Sequence, residues 1–386
     1  MIVLLLLIAS TLLMKFFQEN THILSGAAIV EFGCPRIYID DSLALQPLGY
    51  MLSSIISGIF GDLLGMRRIL LLSIGMAFGA SLTIGCTPDI TNIKIARFIL
   101  GIGMGGVNCC AYALIKNLGN DNHLRAVISK SYTALFASAA IYPLVTKYMI
   151  AWCSWRYVML LGSLMSFAIG TSLFVMLPAT HTKPESMRAY LEHAAQLLSN
   201  PAFLRCCLIA CLTTGHTYAL QAMTTAYNRT LPFHIDQPVL QSIGRVFMVA
   251  GAVYANRTTT PLSQLSWRGA LGILSGCALS VGAVFTDFKD AMMLGAMIII
   301  FCLGFLVSYA TVGVAQTASK TEMLMLAGAF PGIAQGLVSA CASSWEAVGT
   351  KLIYSIAWPL AALAYFALAL LCGVTVRYLL ARGVRN

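Results

Sequence analysis

From Gly58 to Arg68 the chain reads Gly-Ile-Phe-Gly-Asp-Leu-Leu-Gly-Met-Arg-Arg, a short segment with three glycines, one acid and a closing pair of cations. Apolar runs flank it over 42–61 and 69–87, each about as long as the ~20 residues a helix needs to cross the ~30 Å hydrocarbon layer of a bilayer. Glycines permit a tight turn and close backbone approach, and paired arginines between apolar runs mark the cytoplasmic edge of a membrane. The segment therefore reads as a turn between two transmembrane helices.

Outward from this turn the pattern recurs along the whole chain. Apolar stretches near 1–22, 42–61, 69–87, 94–115, 129–150, 156–178, 202–226, 239–256, 268–286, 291–315, 322–345 and 352–376 are predicted spans. Of the 386 residues 59% are hydrophobic and only 10% charged, with a mean hydropathy of +0.82, whereas a soluble domain carries roughly 25% charged residues. That composition excludes a soluble fold, and in lipid a run of this length survives as an internally bonded helix. The fold class expected is an all-α integral membrane protein of about twelve helices. The first stretch lacks a basic region ahead of its apolar run, and Lys15 interrupts it, so it reads as a retained span and not a signal peptide.

The formal net charge is +10, but the cations are scattered singly between spans and do not cluster with aromatics as a nucleic-acid surface would. With the N-terminus cytoplasmic, fourteen of the 24 Lys and Arg residues lie on the inner side and seven on the outer, while Lys15, Arg97 and Arg245 fall inside spans. This excess predicts both termini in the cytoplasm, and a multi-pass protein of the cytoplasmic (inner) membrane. The twelve cysteines show no metal-ligand spacing and read as small packing residues. No cofactor, no metal and no nucleic acid is expected, and the protein is expected to be a monomer in its bilayer.

The polar interruption from Pro178 to Pro201 divides the spans six and six. It predicts an N-terminal bundle over 1–178, a cytoplasmic connector over 179–201, and a C-terminal bundle with a short tail over 202–386. Two such halves imply a substrate site between them near the midplane, and transport by rocking of one half against the other.

The spacing of Gly58, Asp62, Gly65, Arg67 and Arg68 resembles the loop motif of the major facilitator superfamily, G-x-L-[SA]-D-R-x-G-R-[RK], with Leu63 and Met66 in place of two basic residues. In that family the acid and cations form a cytoplasmic latch, a role the resemblance extends to Asp62 and Arg67; the alternative is an ordinary positive-inside loop. Span four, Ala96-Arg97-Phe-Ile-Leu-Gly101-Ile-Gly103-Met-Gly105-Gly106, is similar to the family's R-x-x-Q-G-x-G-x-G segment, with Leu100 replacing the glutamine. The resemblance makes Arg97 a participant in proton coupling, and Gly101, Gly103 and Gly105 helix-packing positions. The other reading of Arg97 is an interfacial side chain that snorkels outward.

Gln18-Glu19-Asn20-Thr21-His22, near the end of span one, gathers an acid, amides, a hydroxyl and an imidazole after an apolar run. A carboxylate there is costly unless protonated or paired, so Glu19 is a candidate site for a proton or a cationic substrate; a hydrated carboxylate in the outer loop is the alternative. The surroundings resemble the Bcr/CflA drug-resistance branch, where an Asp holds this place and an acid-Leu-Gly follows. Glu31-Phe32-Gly33 fits that last element, while Ile23 and Gly26 replace prolines. The branch's span-five antiporter segment is reduced here to Pro143, with small residues beside it that still allow close packing.

In the second half His216, Gln221, Arg245 and Gln335 are the polar groups expected to face a cavity, because contact with lipid would leave them unsatisfied; interhelical hydrogen bonds are an equal alternative. No membrane-embedded catalytic set such as H-E-x-x-H occurs in the sequence, and no enzyme is expected. The resemblance implies proton-coupled efflux of a small amphiphilic or cationic compound, an antiporter of the multidrug type. The alternatives are a narrow carrier for a metabolite, amino acid or siderophore, and a non-transporting sensor descended from the family.

Overall fold

The computed structural model describes residues 2–178 except 34–35 and 119–120, then 237–257 and 294–307, with shorter pieces within 192–204 and 268–279. Among these residues the secondary structure is helical throughout. The helices are α1 (Ile2–Phe32), α2 (Arg36–Leu64), α3 (Met66–Cys86), α4 (Ile90–Leu118), α5 (Asp121–Trp152), α6 (Trp155–Met176) and α7 (Gln237–Arg257), followed by α8 (Leu294–Val307). The first six coincide with the first six predicted spans, and α7 with the span predicted at 239–256. The predicted connector over 179–201 falls largely outside the described residues.

The largest departure is α1, which continues ten residues past the expected end at 22. Its 31 residues make a rod about 46 Å long at 1.5 Å per residue. The polar cluster does not break the helix because its hydroxyls bond back onto the turn before: Thr21 Oγ1 donates to Phe17 O at 2.6 Å, and Ser25 Oγ to Thr21 O at 2.6 Å. The segment Ile23–Phe32 is again apolar, and the helix stops only at Gly33, whose φ of 57° is left-handed.

The turn that opened the sequence reading is sharper than a loop. Gly65, with a φ of 103°, is the single residue between α2 and α3, and its N–H still bonds Gly61 O at 3.2 Å. Asp89 caps the start of α4 by accepting from Thr91 N at 3.2 Å and Asn92 N at 3.3 Å. Ser154 does the same for α6 through Arg156 N. Each cap satisfies donors that a helix start leaves open.

Helix α4 lies at the centre of the first half, with α2 and α3 packed on opposite faces. A Cβ at Gly101 would run into Gln46 O, one at Gly105 into Tyr50 O, and one at Gly49 into Phe98 O; on the other face Gly103 sits 2.7 Å from Ser73 O by the same measure. Small residues four apart thus bring backbones together where lipid supplies no hydrophobic drive for association. Buried Leu7, Phe17, Leu70, Ile74 and Leu114 fill the space among α1, α3, α4 and α6. Helix α5 runs unbroken through the buried Pro143. It also carries the seam toward the second half, where Phe136 packs with Met248 and Ala252 of α7 and Val307 of α8.

Candidate functional site

The interior of α1 presents Lys15 and Glu19 four residues apart, hence on one face of the helix. Lys15 Nζ lies 2.7 Å from Glu19 Oε1. From α7, 226 residues further along, Arg245 Nη2 approaches the same carboxylate, 2.9 Å from Oε1 and 3.2 Å from Oε2. Glu19 and Arg245 are 3% and 7% exposed, so this is a buried cluster of two cations and one anion. Helix length decides it: in a helix ending at residue 22 Glu19 would face the outer loop, but in α1 it lies mid-helix and is out of water.

One such ion pair repays desolvation only when its geometry is good and its remaining hydrogen-bonding capacity is used. Here Lys15 also donates to Gln18 Oε1 at 3.1 Å, and Arg245 Nη1 approaches Met248 Sδ at 3.2 Å. Asn20, next to Glu19 and fully buried, has neither its Oδ1 nor its Nδ2 hydrogen-bonded among the described residues.

A line of polar contacts continues along α1 toward its C-terminal end. Thr21 Oγ1 also meets Gln46 Oε1 of α2 at 3.1 Å, and Gln46 Nε2 points to Met104 Sδ of α4 at 3.2 Å. Arg97 of α4 donates through Nη2 to Ser25 Oγ at 2.9 Å. At 4% exposure it does not snorkel to the surface, and its Nη1 has no hydrogen-bond partner among the described residues. Nearby, Asn108 Nδ2 donates to Tyr50 OH at 2.8 Å. Glu19, Arg97 and Arg245 stand apart in the sequence; the fold joins Glu19 to Arg245 and brings Arg97 of α4 onto Ser25 of α1, six residues beyond Glu19.

Lys15 is the member that the sequence reading treated only as an interruption. Its i,i+4 spacing to Glu19 was the available signal. His216, Gln221 and Gln335 lie outside the described residues.

At the α2–α3 turn, Gly58 is buried and Asp62 occupies the last turn of α2, its side chain outside the described residues. Arg67 donates to Phe174 O of α6 at 2.7 Å, with its guanidinium 5.7 Å from the Phe174 ring centroid. Arg68 is exposed. The two arginines are therefore unequal: one ties α3 to α6 and the other faces outward.

At the opposite end is a clip absent from the sequence reading. Glu31 of α1 pairs with Arg156 of α6 at 2.9 Å and accepts from the Trp155 indole. Arg156 also donates to Thr87 O at 2.6 Å and Gly85 O at 3.4 Å, at the C-terminal end of α3, and its guanidinium stacks over Trp155 at 4.9 Å and Phe32 at 5.6 Å.

The family model described as Major Facilitator Superfamily matches residues 7–323. An uncharacterised MFS-type transporter of Mycobacterium tuberculosis is 27% identical over 211 residues, 52% of this chain and 30% of the relative. A bicyclomycin resistance protein homolog of Haemophilus influenzae is 22% identical over 145 residues, 38% of this chain and 36% of the relative. These alignments thus span about a third of each relative's length. The solved structure of the proton:xylose symporter XylE, bound to 6-bromo-6-deoxy-D-glucose, superposes with a TM-score of 0.74 over 96% of this chain and 94% of that one at 14% identity, a likeness of fold.

Proposed function

This chain belongs to the Major Facilitator Superfamily, and on that premise we propose that it is a secondary transporter working by alternating access and coupled to protons. The observation that carries the proposal is the Glu19 carboxylate held between Lys15 of its own helix and Arg245 of a helix from the other half. A contact made across the two halves must be broken when they rock apart. A proton on Glu19 removes the charge that holds Arg245, so protonation and movement are linked through one side chain. Arg97, buried on the same polar line, is the second coupling candidate. Arg67, fastened to Phe174, and Asp62 serve as the cytoplasmic latch.

In this reading the protein lies in the cytoplasmic membrane as a monomer with both termini inside. Its halves are 1–178 and 202–386, joined by the connector 179–201. The resemblance to the drug-resistance branch supports efflux of a small amphiphilic or cationic compound. Among the described residues, the meeting of two cations, Lys15 and Arg245, on the one carboxylate of Glu19 favours the second reading, a narrow carrier for a metabolite.

The test is reconstitution in liposomes under an inward-acid gradient, with a mixed panel of charged metabolites and drug-like compounds. Compound-triggered proton movement in the wild type and its loss in Glu19→Gln is the expected result. Equal proton movement in both proteins removes Glu19 from coupling. Absence of proton movement and of counterflow in folded protein across the panel sinks the transporter reading in favour of the sensor.

A further inference from the structure

We propose that the cargo carries an uncharged hydrogen-bonding group, a hydroxyl or a primary amide, and that this group binds among Asn20 of α1, Thr146 of α5 and Gln241 of α7. The inference rests on the transporter reading above and names the polar group by which that transporter holds its cargo.

Helix register brings the three residues to one place. Phe16 of α1 and Tyr142 of α5 meet edge to face, their ring centroids 5.4 Å apart. Four crossings separate α1 from α5, so the two helices run the same way. Asn20 and Thr146 each lie four residues beyond that contact, on the same faces of their helices and about 6 Å further along at 1.5 Å per residue. Helix α7 runs the other way: Arg245 meets Glu19, while the later Met248 and Ala252 meet Phe136, which precedes Tyr142 on α5. Gln241, four residues before Arg245, therefore lies one turn from the Glu19 contact toward the C-terminal end of α1. It shares a helix face with Arg245, which reaches α1, and with Met248, which packs on α5.

The hydrogen-bonding inventory marks these residues as a site. Asn20 and Thr146 are fully buried. Among the described residues neither polar atom of Asn20, nor Thr146 Oγ1, nor the buried Gln241 Oε1 has a hydrogen-bond partner. Other buried hydroxyls of these helices settle onto a carbonyl one turn back, as Ser54 does on Tyr50 O, Ser81 on Ala77 O and Ser166 on Gly162 O. Thr146 does not, and buried polar atoms left in this state are costly unless something in the working cycle uses them. Asn20 offers both a donor and an acceptor, Thr146 either, and Gln241 Oε1 an acceptor. A hydroxyl or a primary amide both donates and accepts, and so serves all three. A carboxylate, which only accepts, leaves the Asn20 and Gln241 oxygens unmet, and an ammonium, which only donates, leaves the Asn20 amino group unmet.

The preference can be read without knowing the cargo. In a cysteine-depleted background, Thr146→Cys is treated with 2-hydroxyethyl methanethiosulfonate and with propyl methanethiosulfonate, which differ only by a hydroxyl in place of a methyl. Rates are normalised to the same reagents on a cysteine at exposed Val30, and Gln241→Cys is the second reporter should Thr146→Cys fail to fold. The expected result is a preference of about fivefold for the hydroxyethyl reagent, the worth of one net hydrogen bond, brought near parity by Asn20→Leu. Equal rates, as for groups satisfied by solvent alone, a preference for the propyl reagent, or no reaction by either in folded protein overturns the proposal. Thr146→Val is expected to unfold at the wild-type temperature or above, since valine has the same shape and no hydroxyl to satisfy; a fall of several degrees shows a hydroxyl bonded within the protein and overturns the assignment. In the liposome panel, hydroxyl- or amide-bearing compounds are expected to lose most of their transport on Thr146→Val. Transport that Thr146→Val leaves unchanged overturns the assignment while the transporter reading stands, and absence of all transport in folded protein removes both.

Discussion

Replacing Glu19 by Gln keeps the side chain's size and removes its charge, leaving Lys15 and Arg245 facing each other in a buried space. Their nitrogens lie 2.7 and 2.9 Å from the same oxygen, so they are no more than about 5.6 Å apart. At an effective dielectric constant of about 20, two like charges at that distance repel by roughly 3 kcal/mol. Breaking a buried ion pair by removing one partner costs about 3–5 kcal/mol by experience with other proteins. Glu19→Gln is therefore expected to be strongly destabilising. Lys15→Met, which leaves the Glu19–Arg245 pair neutral, is expected to cost less than about 1 kcal/mol, and Lys15→Met added to Glu19→Gln to recover roughly 3 kcal/mol of the loss by removing the repulsion. Thermal unfolding in detergent with a thiol-reactive dye suits the question, because Cys109, Cys110 and Cys302 are buried and report when the bundle opens. Membrane proteins that unfold irreversibly are compared by rank of apparent midpoint at one scan rate. The order expected is wild type and Lys15→Met together, the double variant below them, and Glu19→Gln lowest. A Glu19→Gln midpoint equal to wild type, or no recovery in the double variant, refutes the reasoning.

Gly101→Val is expected to cost about 3 kcal/mol or more, because its new side chain meets the backbone of Gln46 and α2 must move away. Gly75→Ala, at a helical position with open space around it, should be neutral or stabilising by up to about 1 kcal/mol; the same thermal assay reads both. Arg156→Ala removes the ion pair to Glu31 and two bonds to carbonyls at the end of α3, and is expected to cost about 1–2 kcal/mol after allowance for partial exposure; Arg156→Lys should not restore it, since one ammonium cannot span those partners and stack on Trp155. Arg67→Ala should slow transport in liposomes while Arg68→Ala leaves it near wild type, because only Arg67 is fastened to Phe174.

Most of the helical architecture was legible in hydropathy. Spans two to six fall where apolar length predicted them, and Gly65 marks the turn between α2 and α3. What hydropathy misread was α1: Gln18, Glu19, Asn20 and Thr21 depress a running average as an outer loop would, though here Glu19 and Asn20 are buried and Gln18 and Thr21 half-buried within the helix. Because of that the burial of Glu19 was hidden as well. Lys15 was legible by its four-residue spacing. The partnership of Glu19 with Arg245 was not, since 226 residues separate them and no local pattern encodes which distant helices meet. The Glu31–Arg156 clip was hidden for the same reason, its two charges lying 125 residues apart.

The proposed coupling requires that the Glu19–Arg245 contact be made and broken as the protein changes conformation. The most direct measurement is the distance distribution between spin labels at Val175, the exposed residue near the end of α6, and Arg257, the exposed last residue of α7, in liposomes with a cysteine-depleted background. Two populations are expected in wild type, with Glu19→Gln and Arg245→Gln both shifting weight to the one in which α1 and α7 have separated at Glu19. A single distribution, unchanged by either substitution in folded protein, would contradict it.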